Sequence, residues 1–275
     1  MMMRRPRRRL REQSINRLIP NMFTVLALCA GLTAIRFAVD QRWEVAVIAL
    51  VAAGIFDGLD GRIARLLGGS TKFGAELDSL SDVISFGVAP AVTLYLWSLK
   101  REATLGWTVA LIYAVCCALR LARFNTKLDE IDPMPWAGQF FTGVPAPAGA
   151  GLAVLPIMLS FELGDTVFRH PAVVAPVMLA ISGLMVSRLP IYSFKKIRVP
   201  HHLIVPTLLA VGILAGLLIS ATWITLILIG VAYIVNIPLS IRTHARLKRA
   251  HEEQLVRAAA AEPIQPLAPP DSEPR

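Results

Sequence analysis

The chain has 275 residues, 55% of them hydrophobic and 17% charged, with a mean hydropathy of +0.58. This apolar content exceeds what a water-soluble core of that length buries, so an ordinary soluble domain is excluded and a membrane protein is expected. The formal net charge of +9 rests on 28 Lys and Arg, but no aromatic or motif context accompanies them, and nucleic acid is not expected as a partner.

Residues 1–18 form a basic segment with Arg4, Arg5, Arg7, Arg8, Arg9, Arg11 and Arg17. A basic run ahead of apolar residues resembles a secretory signal, but the stretch from Ile19 is too long for an h-region and lacks a small-residue cleavage site. It reads as a retained first span. Apolar blocks of roughly 17 to 23 residues, enough for a helix to cross about 30 Å of hydrocarbon, then recur along the chain. They lie near residues 19–37, 43–67, 77–99, 106–124, 144–162, 171–187, 202–220 and 221–240. The expected fold is therefore all-α: a polytopic transmembrane helical bundle over residues 19–243, with about eight spans, or one fewer if the junction at Ser220 and Ala221 is no break. Residues 244–275 turn polar and rich in Ala, Pro and Glu, and are expected to be a frayed helix followed by a disordered cytoplasmic tail.

Lys and Arg accumulate in loops on the cytoplasmic side. With alternating spans, only Arg36, Arg42, Lys100, Arg101 and Arg169 of the 28 basic residues fall on the opposite side. Both termini, and the connection after the second span, are expected to face the cytoplasm. The same charges suit anionic lipid headgroups. Cys29, Cys116 and Cys117 all lie in apolar segments and are expected to be buried structural thiols.

The second block carries Asp57, Asp60, Arg62 and Arg65 in its last turns, so that end leaves the bilayer or lines a wet cavity. At 100° per residue, Asp57, Asp60, Gly61, Ala64 and Arg65 share an arc of about 140°. Gly74, Asp78 and Asp82 form an i, i+4, i+8 stripe on the next helix, joined through a short turn at Gly68, Gly69, Ser70 and Thr71. Converging carboxylates near a bilayer repel one another and are costly to desolvate, so cations are expected between them. Oxygen-only ligands favour Mg²⁺ or Mn²⁺ over zinc. Gly61 and Gly74 let a bulky ligand approach the backbone, and Arg65 offers a fork for phosphate. The competing account is a solvated acidic loop paired with Arg62, Arg65 and Lys72.

The pattern Asp57-x-x-Asp60-Gly61-x-x-Ala64-Arg65, eight further residues, then Gly74-x-x-x-Asp78-x-x-x-Asp82 resembles the signature of the CDP-alcohol phosphotransferase family at every fixed position. The resemblance covers about residues 19–150 and implies a six-helix core, here with extra C-terminal spans. It further implies that Asp57, Asp60, Asp78 and Asp82 form a two-metal site, with Asp82 also the general base. Asp57, Gly61, Arg65, Thr71 and Gly74 would touch the CDP-lipid. Pro20, Asn21 and Thr24 are similar to a Pro-Asn-x-x-Thr element that approaches the nucleotide, although a helix start capped near Asn21 explains them equally well. The implied chemistry is attack of an alcohol on the lipid-bearing phosphorus of a CDP-lipid, with release of CMP and no ATP.

The stretches Asp78 to Ala91, Ala118 to Asn125 and Gly143 to Pro147 resemble the membrane-type bacterial phosphatidylserine synthases. That resemblance implies CDP-diacylglycerol and L-serine as substrates, a bacterial inner-membrane location with the site on the cytoplasmic face, and membrane lipid as surroundings; a homodimer is left open. Arg120 and Arg123 lie one turn apart at the end of the fourth span, where either is placed to hold the carboxylate of serine. Both also satisfy the positive-inside bias, and the sequence does not choose between these accounts. Glycerol 3-phosphate, inositol phosphate or choline on the same fold, or a transporter passing cations through the acidic cluster, are the competing functions.

Overall fold

The computed structural model describes residues 15–68, 71–127, 140–192 and 203–261. The first helix, α1 (Ile15–Val39), folds back through a turn at Asp40 and Gln41 onto α2 (Trp43–Leu67), and the two pack along their length. Buried Ala27, Ala34 and Ala38 on α1 and Ala46, Ala49 and Ala53 on α2 let the backbones come close, as small residues do between membrane helices. The helix start expected near Asn21 is corrected: α1 begins at least five residues earlier and runs through Pro20, so Asn21 is interior. Its side chain is thereby released from a capping role.

Helix α2 ends at Gly68 in the left-handed conformation, and α3 (Lys72–Asp82) opens with Thr71 as its cap, the Thr71 hydroxyl accepting from Gly74 N at 3.0 Å. The third span is composite. A π-helical turn, Val83–Val88, joins α3 to α4 (Ala89–Trp97) without a break. Beyond a 3₁₀ turn, Leu99–Glu102, lies α5 (Ala103–Lys127). The fifth block is split into α6 (Ala146–Ala153) and α7 (Leu155–Leu163) at Val154, where Pro156 cannot continue the backbone hydrogen bonds. Short α8 (Asp165–Phe168) leads into α9 (Pro171–Val186), and Ala221 separates α10 (Ile204–Ser220) from α11 (Thr222–Ala261).

The stretches Leu18–Val39, Lys72–Trp97, Leu99–Thr126, Ala146–Leu163 and Thr222–Arg246 are each long and apolar enough to cross a membrane, and Pro171–Val186 and Ile204–Ser220 are shorter apolar helices. Helix α2 matches α1 at 25 residues but carries Glu44, Asp57, Asp60, Arg62 and Arg65. The molecule is thus a helical, multi-pass membrane protein. No residue of α10 is buried, which fits a helix surrounded by lipid. Helix α11 continues to Ala261, because the stretch after residue 243 is made of strong helix formers such as Ala, Leu, Arg, Lys and Glu. Residues 262–275, like the basic run before residue 15, lie outside the described residues. Of the three thiols, Cys117 is buried and Cys116 partly so, but Cys29 is exposed, contrary to expectation: it sits on the side of α1 turned away from α2 and α3.

Each end of the bundle is tied separately. At one end Arg169 donates from Nε to the Trp97 carbonyl at 2.9 Å and lies near the rings of Trp43 and Trp97, while Ser98 donates to the Arg169 carbonyl at 2.7 Å. At the other end two strands absent from the sequence reading, β1 (Phe140–Thr142) and β2 (Pro190–Tyr192), pair antiparallel with Phe141 opposite Ile191. Gly143 follows β1 with φ of 77°, where a Cβ would sit 2.6 Å from the Met185 carbonyl oxygen; only glycine fits there. Ser240 of α11 donates to the Pro190 carbonyl at 2.8 Å and fastens the last helix to β2.

Candidate active site

The motif residues meet at the end of the bundle that carries the strands. Asp57 and Asp60 come from the last turns of α2, and Asp78 from the middle of α3. Each offers a carboxylate oxygen, and these oxygens lie within 4.8 Å of one another. Asp82, one turn beyond Asp78, sits against Asp57. Among the described residues no Arg or Lys forms an ion pair with Asp57, Asp60 or Asp78, so the solvated, salt-bridged loop does not describe this cluster. An all-oxygen donor set this tight, with Asp60 buried, fits a hard divalent cation.

Helix α1 holds the cluster in place. Thr24, buried, donates from Oγ1 to Asp60 Oδ2 at 2.8 Å. Ser81 donates to the Thr24 carbonyl at 3.1 Å, and Ser85, inside the π-helical turn, to the Ala27 carbonyl at 3.1 Å. The first helix is therefore bonded both to the α2 carboxylate and, through its carbonyls, to serine hydroxyls of α3 and the π-helical turn on either side of Asp82. These serine links were not read from the sequence, where isolated Ser residues in an apolar helix give no signal.

Next to the carboxylates a cleft of about 180 Å³ is lined by Pro20, Asn21, Thr24, Asp60, Gly61, Ala64, Thr71, Gly74, Ala75 and Asp78. Six of the expected CDP-contacting residues, Pro20, Asn21, Thr24, Gly61, Thr71 and Gly74, thus share one wall-to-wall space across α1, α2 and α3. Gly74 is a point of close approach: a Cβ there would sit 2.6 Å from Asn21 Oδ1 and 3.1 Å from Thr71 Oγ1. The Arg65 guanidinium folds back toward Gly61, where a Cβ would lie 3.8 Å from Nη1. Asp57 and Arg65 do not line this cleft; Asp57 faces Asp82 instead.

The two basic residues of α5 part company. Arg120 is partly buried, in electrostatic reach of Asp57 and Asp82, with its guanidinium 5.9 Å from the Phe124 ring centre. Arg123 points elsewhere and donates from Nη1 to the Val186 carbonyl at 2.9 Å, at the end of α9. Asn125 donates to Ser79 Oγ at 2.8 Å, so the end of α5 is fixed against α3.

Comparison with known proteins agrees with this geometry. Residues 17–187 match the family model described as CDP-alcohol phosphatidyltransferase, and residues 202–238 a second one, CDP-alcohol phosphatidyltransferase 2. The chain is 38% identical over 250 residues to a CDP-diacylglycerol--serine O-phosphatidyltransferase of Mycobacterium leprae, covering 90% of this chain and 82% of that protein. It is 36% identical over 181 residues to the protein of the same name from Helicobacter pylori, covering 66% of this chain and 74% of that one. An archaetidylserine synthase of Methanothermobacter thermautotrophicus is 35% identical over 171 residues, covering 62% of this chain and 67% of its own length. With a family model matched over more than half of its length and this identity to its relatives, the chain belongs to the CDP-alcohol phosphatidyltransferase family.

Proposed function

We propose that the chain transfers the phosphatidyl group of CDP-diacylglycerol to the hydroxyl of L-serine, giving phosphatidylserine and CMP. The observation that carries this reading is the convergence of Asp57, Asp60 and Asp78 beside an open cleft, in a chain whose bacterial relatives are named for that reaction. Bound by Asp57, Asp60, Asp78 and Asp82, one or two Mg²⁺ or Mn²⁺ ions would supply the positive charge that a pyrophosphate needs among carboxylates. Asn21, Gly61, Thr71 and Gly74 receive the CDP moiety, and Arg65 approaches its phosphates. Asp82 accepts the proton of the serine hydroxyl, whose oxygen attacks the lipid-bearing phosphorus while the bond to the CMP oxygen breaks. Arg120 rather than Arg123 holds the serine carboxylate, because Arg123 already bonds the end of α9.

The finer membrane arrangement belongs to the same proposal. Helices α1, α2, α3 with α4, α5, α6 with α7, α9, α10 and α11 make about eight spans in the bacterial inner membrane. The strand-bearing end, and with it the site, faces the cytoplasm under the positive-inside bias. The test is CMP release from CDP-diacylglycerol by the purified protein with L-serine, glycerol 3-phosphate, inositol phosphate or choline at equal concentration. Serine should give the fastest release, EDTA should abolish it, and added Mn²⁺ or Mg²⁺ should restore it. Faster transfer to another alcohol, or full turnover in excess EDTA, would refute the reading.

A further inference from the structure

Arg120 Nε and Tyr233 Oη are screened from solvent and lack a hydrogen-bond partner, and among the described residues no other buried side-chain nitrogen or oxygen is in that state. The two groups lie in electrostatic reach of each other, and Arg120 also reaches Asp57 and Asp82. Two buried donors without an acceptor are costly unless a ligand supplies one. Tyr233 comes from α11, outside residues 17–187 and inside the second matched stretch, residues 202–238. Its position is set by the packing of α11 on α7 and β2, by the Phe161 and Trp223 rings 4.6 Å apart, and by the Ser240 bond to Pro190.

We infer that Tyr233 and Arg120 together form the subsite for the carboxylate of the acceptor, so that the C-terminal helix α11 sets acceptor specificity. One N–H of a guanidinium and one phenol O–H suit a carboxylate, which accepts from both. With Arg123 committed to Val186, Arg120 is the cation that α5 offers to the acceptor, and a single guanidinium matches a monoanionic carboxylate better than a dianionic phosphate. A carboxylate held there leaves the acceptor hydroxyl on the side of Asp82. This rests on the proposed serine transfer.

The experiment is steady-state transfer by the full-length Tyr233→Phe protein to L-serine and to ethanolamine, which lacks the carboxylate. Serine KM should rise roughly tenfold, the size expected for one hydrogen bond to a charged group, while kcat and the KM for CDP-diacylglycerol stay within about twofold. The preference for serine over ethanolamine should narrow by the same factor. Arg120→Lys, which keeps the charge but loses Nε–H, should combine with Tyr233→Phe non-additively, because both act on one carboxylate. Unchanged serine KM, equal loss with both acceptors, or additive losses would overturn the inference while serine transfer by the unsubstituted protein stands. Failure of that protein to use serine at all would instead overturn the proposed function.

Discussion

At Asp60 a buried carboxylate accepts from the hydroxyl of Thr24 at 2.8 Å, its one side-chain hydrogen bond among the described residues. That bond fixes which oxygen lone pairs of Asp60 remain open toward Asp57 and Asp78, so at the proposed metal site Thr24 would act on the cation through Asp60 rather than by touching it. Groups that orient metal ligands in this way typically change metal affinity by about 10- to 100-fold when removed. Thr24→Val should therefore weaken Mn²⁺ binding by roughly that factor, whereas Thr24→Ser should retain it; equal affinity in both variants, read by titration of the purified protein, would dismiss the orienting role. Asp82 differs from its neighbours because it stands against Asp57 and outside the tight Asp57, Asp60 and Asp78 group. Asp60→Asn and Asp78→Asn should lose metal binding and activity together. Asp82→Asn should keep CDP-lipid binding while kcat falls by about 10²- to 10⁴-fold, the usual worth of a positioned base. Parallel loss of lipid binding in all three would remove the base assignment.

Among elements, the junction of α1 with the π-helical turn is tightly constrained next to the site. A Cβ on Gly31 would sit 2.7 Å from Ser85 Oγ and 2.8 Å from its Cα, and the Cα is backbone that cannot swing aside. Gly31→Ala must push α1 away from the turn that follows Asp82, at a cost of about 1–3 kcal/mol for overpacking. A lowered Tm together with lowered kcat is the expected result; a Tm equal to that of the unsubstituted protein would show that the contact yields freely. The sequence revealed the carboxylate faces because Asp57 with Asp60, and Asp78 with Asp82, are each set by spacing within one helix. It also revealed the apolar blocks, since their length is itself the signal. It could not separate Arg120 from Arg123: they stand three residues apart on one helix, and their different fates depend on where α9 ends and where α11 lies. The π-helical turn and the three-residue strands were illegible for a related reason. A wider helical turn keeps the same apolar composition, and strands this short carry no alternation to read.

For the molecule as a whole, the two ends are chemically distinct, and their pairing fixes the threading of the chain. The end of α5 bonds α3 through Asn125 and Ser79, and the end of α9 through Arg123 and Val186; β1 and β2 follow α5 and α9 and pair with each other. The ends of α2, α5 and α9, with β1 and β2, are thereby gathered on one side, with the carboxylates. Trp43, Trp97, Ser98 and Arg169 are gathered on the other. This separation needs α1 and α2, α3 with α4, α5, and α6 with α7 to alternate in direction, as the charge bias along the sequence requires. The cytoplasmic face proposed for the cluster is also the side on which its CDP-linked substrate is proposed to be met. In intact inner-membrane vesicles of known orientation, a membrane-impermeant thiol probe should react with Lys72→Cys from the cytoplasmic side and with Glu102→Cys only from the opposite side, each placed in a variant lacking Cys29, Cys116 and Cys117. Both residues are exposed; Lys72 opens α3, and Glu102 closes the 3₁₀ turn just beyond α4, so the continuous stretch formed by α3, the π-helical turn and α4 lies between them. Labelling of both from one side would mean that this stretch does not cross the bilayer, and reversed labelling would place the carboxylate cluster on the outer face.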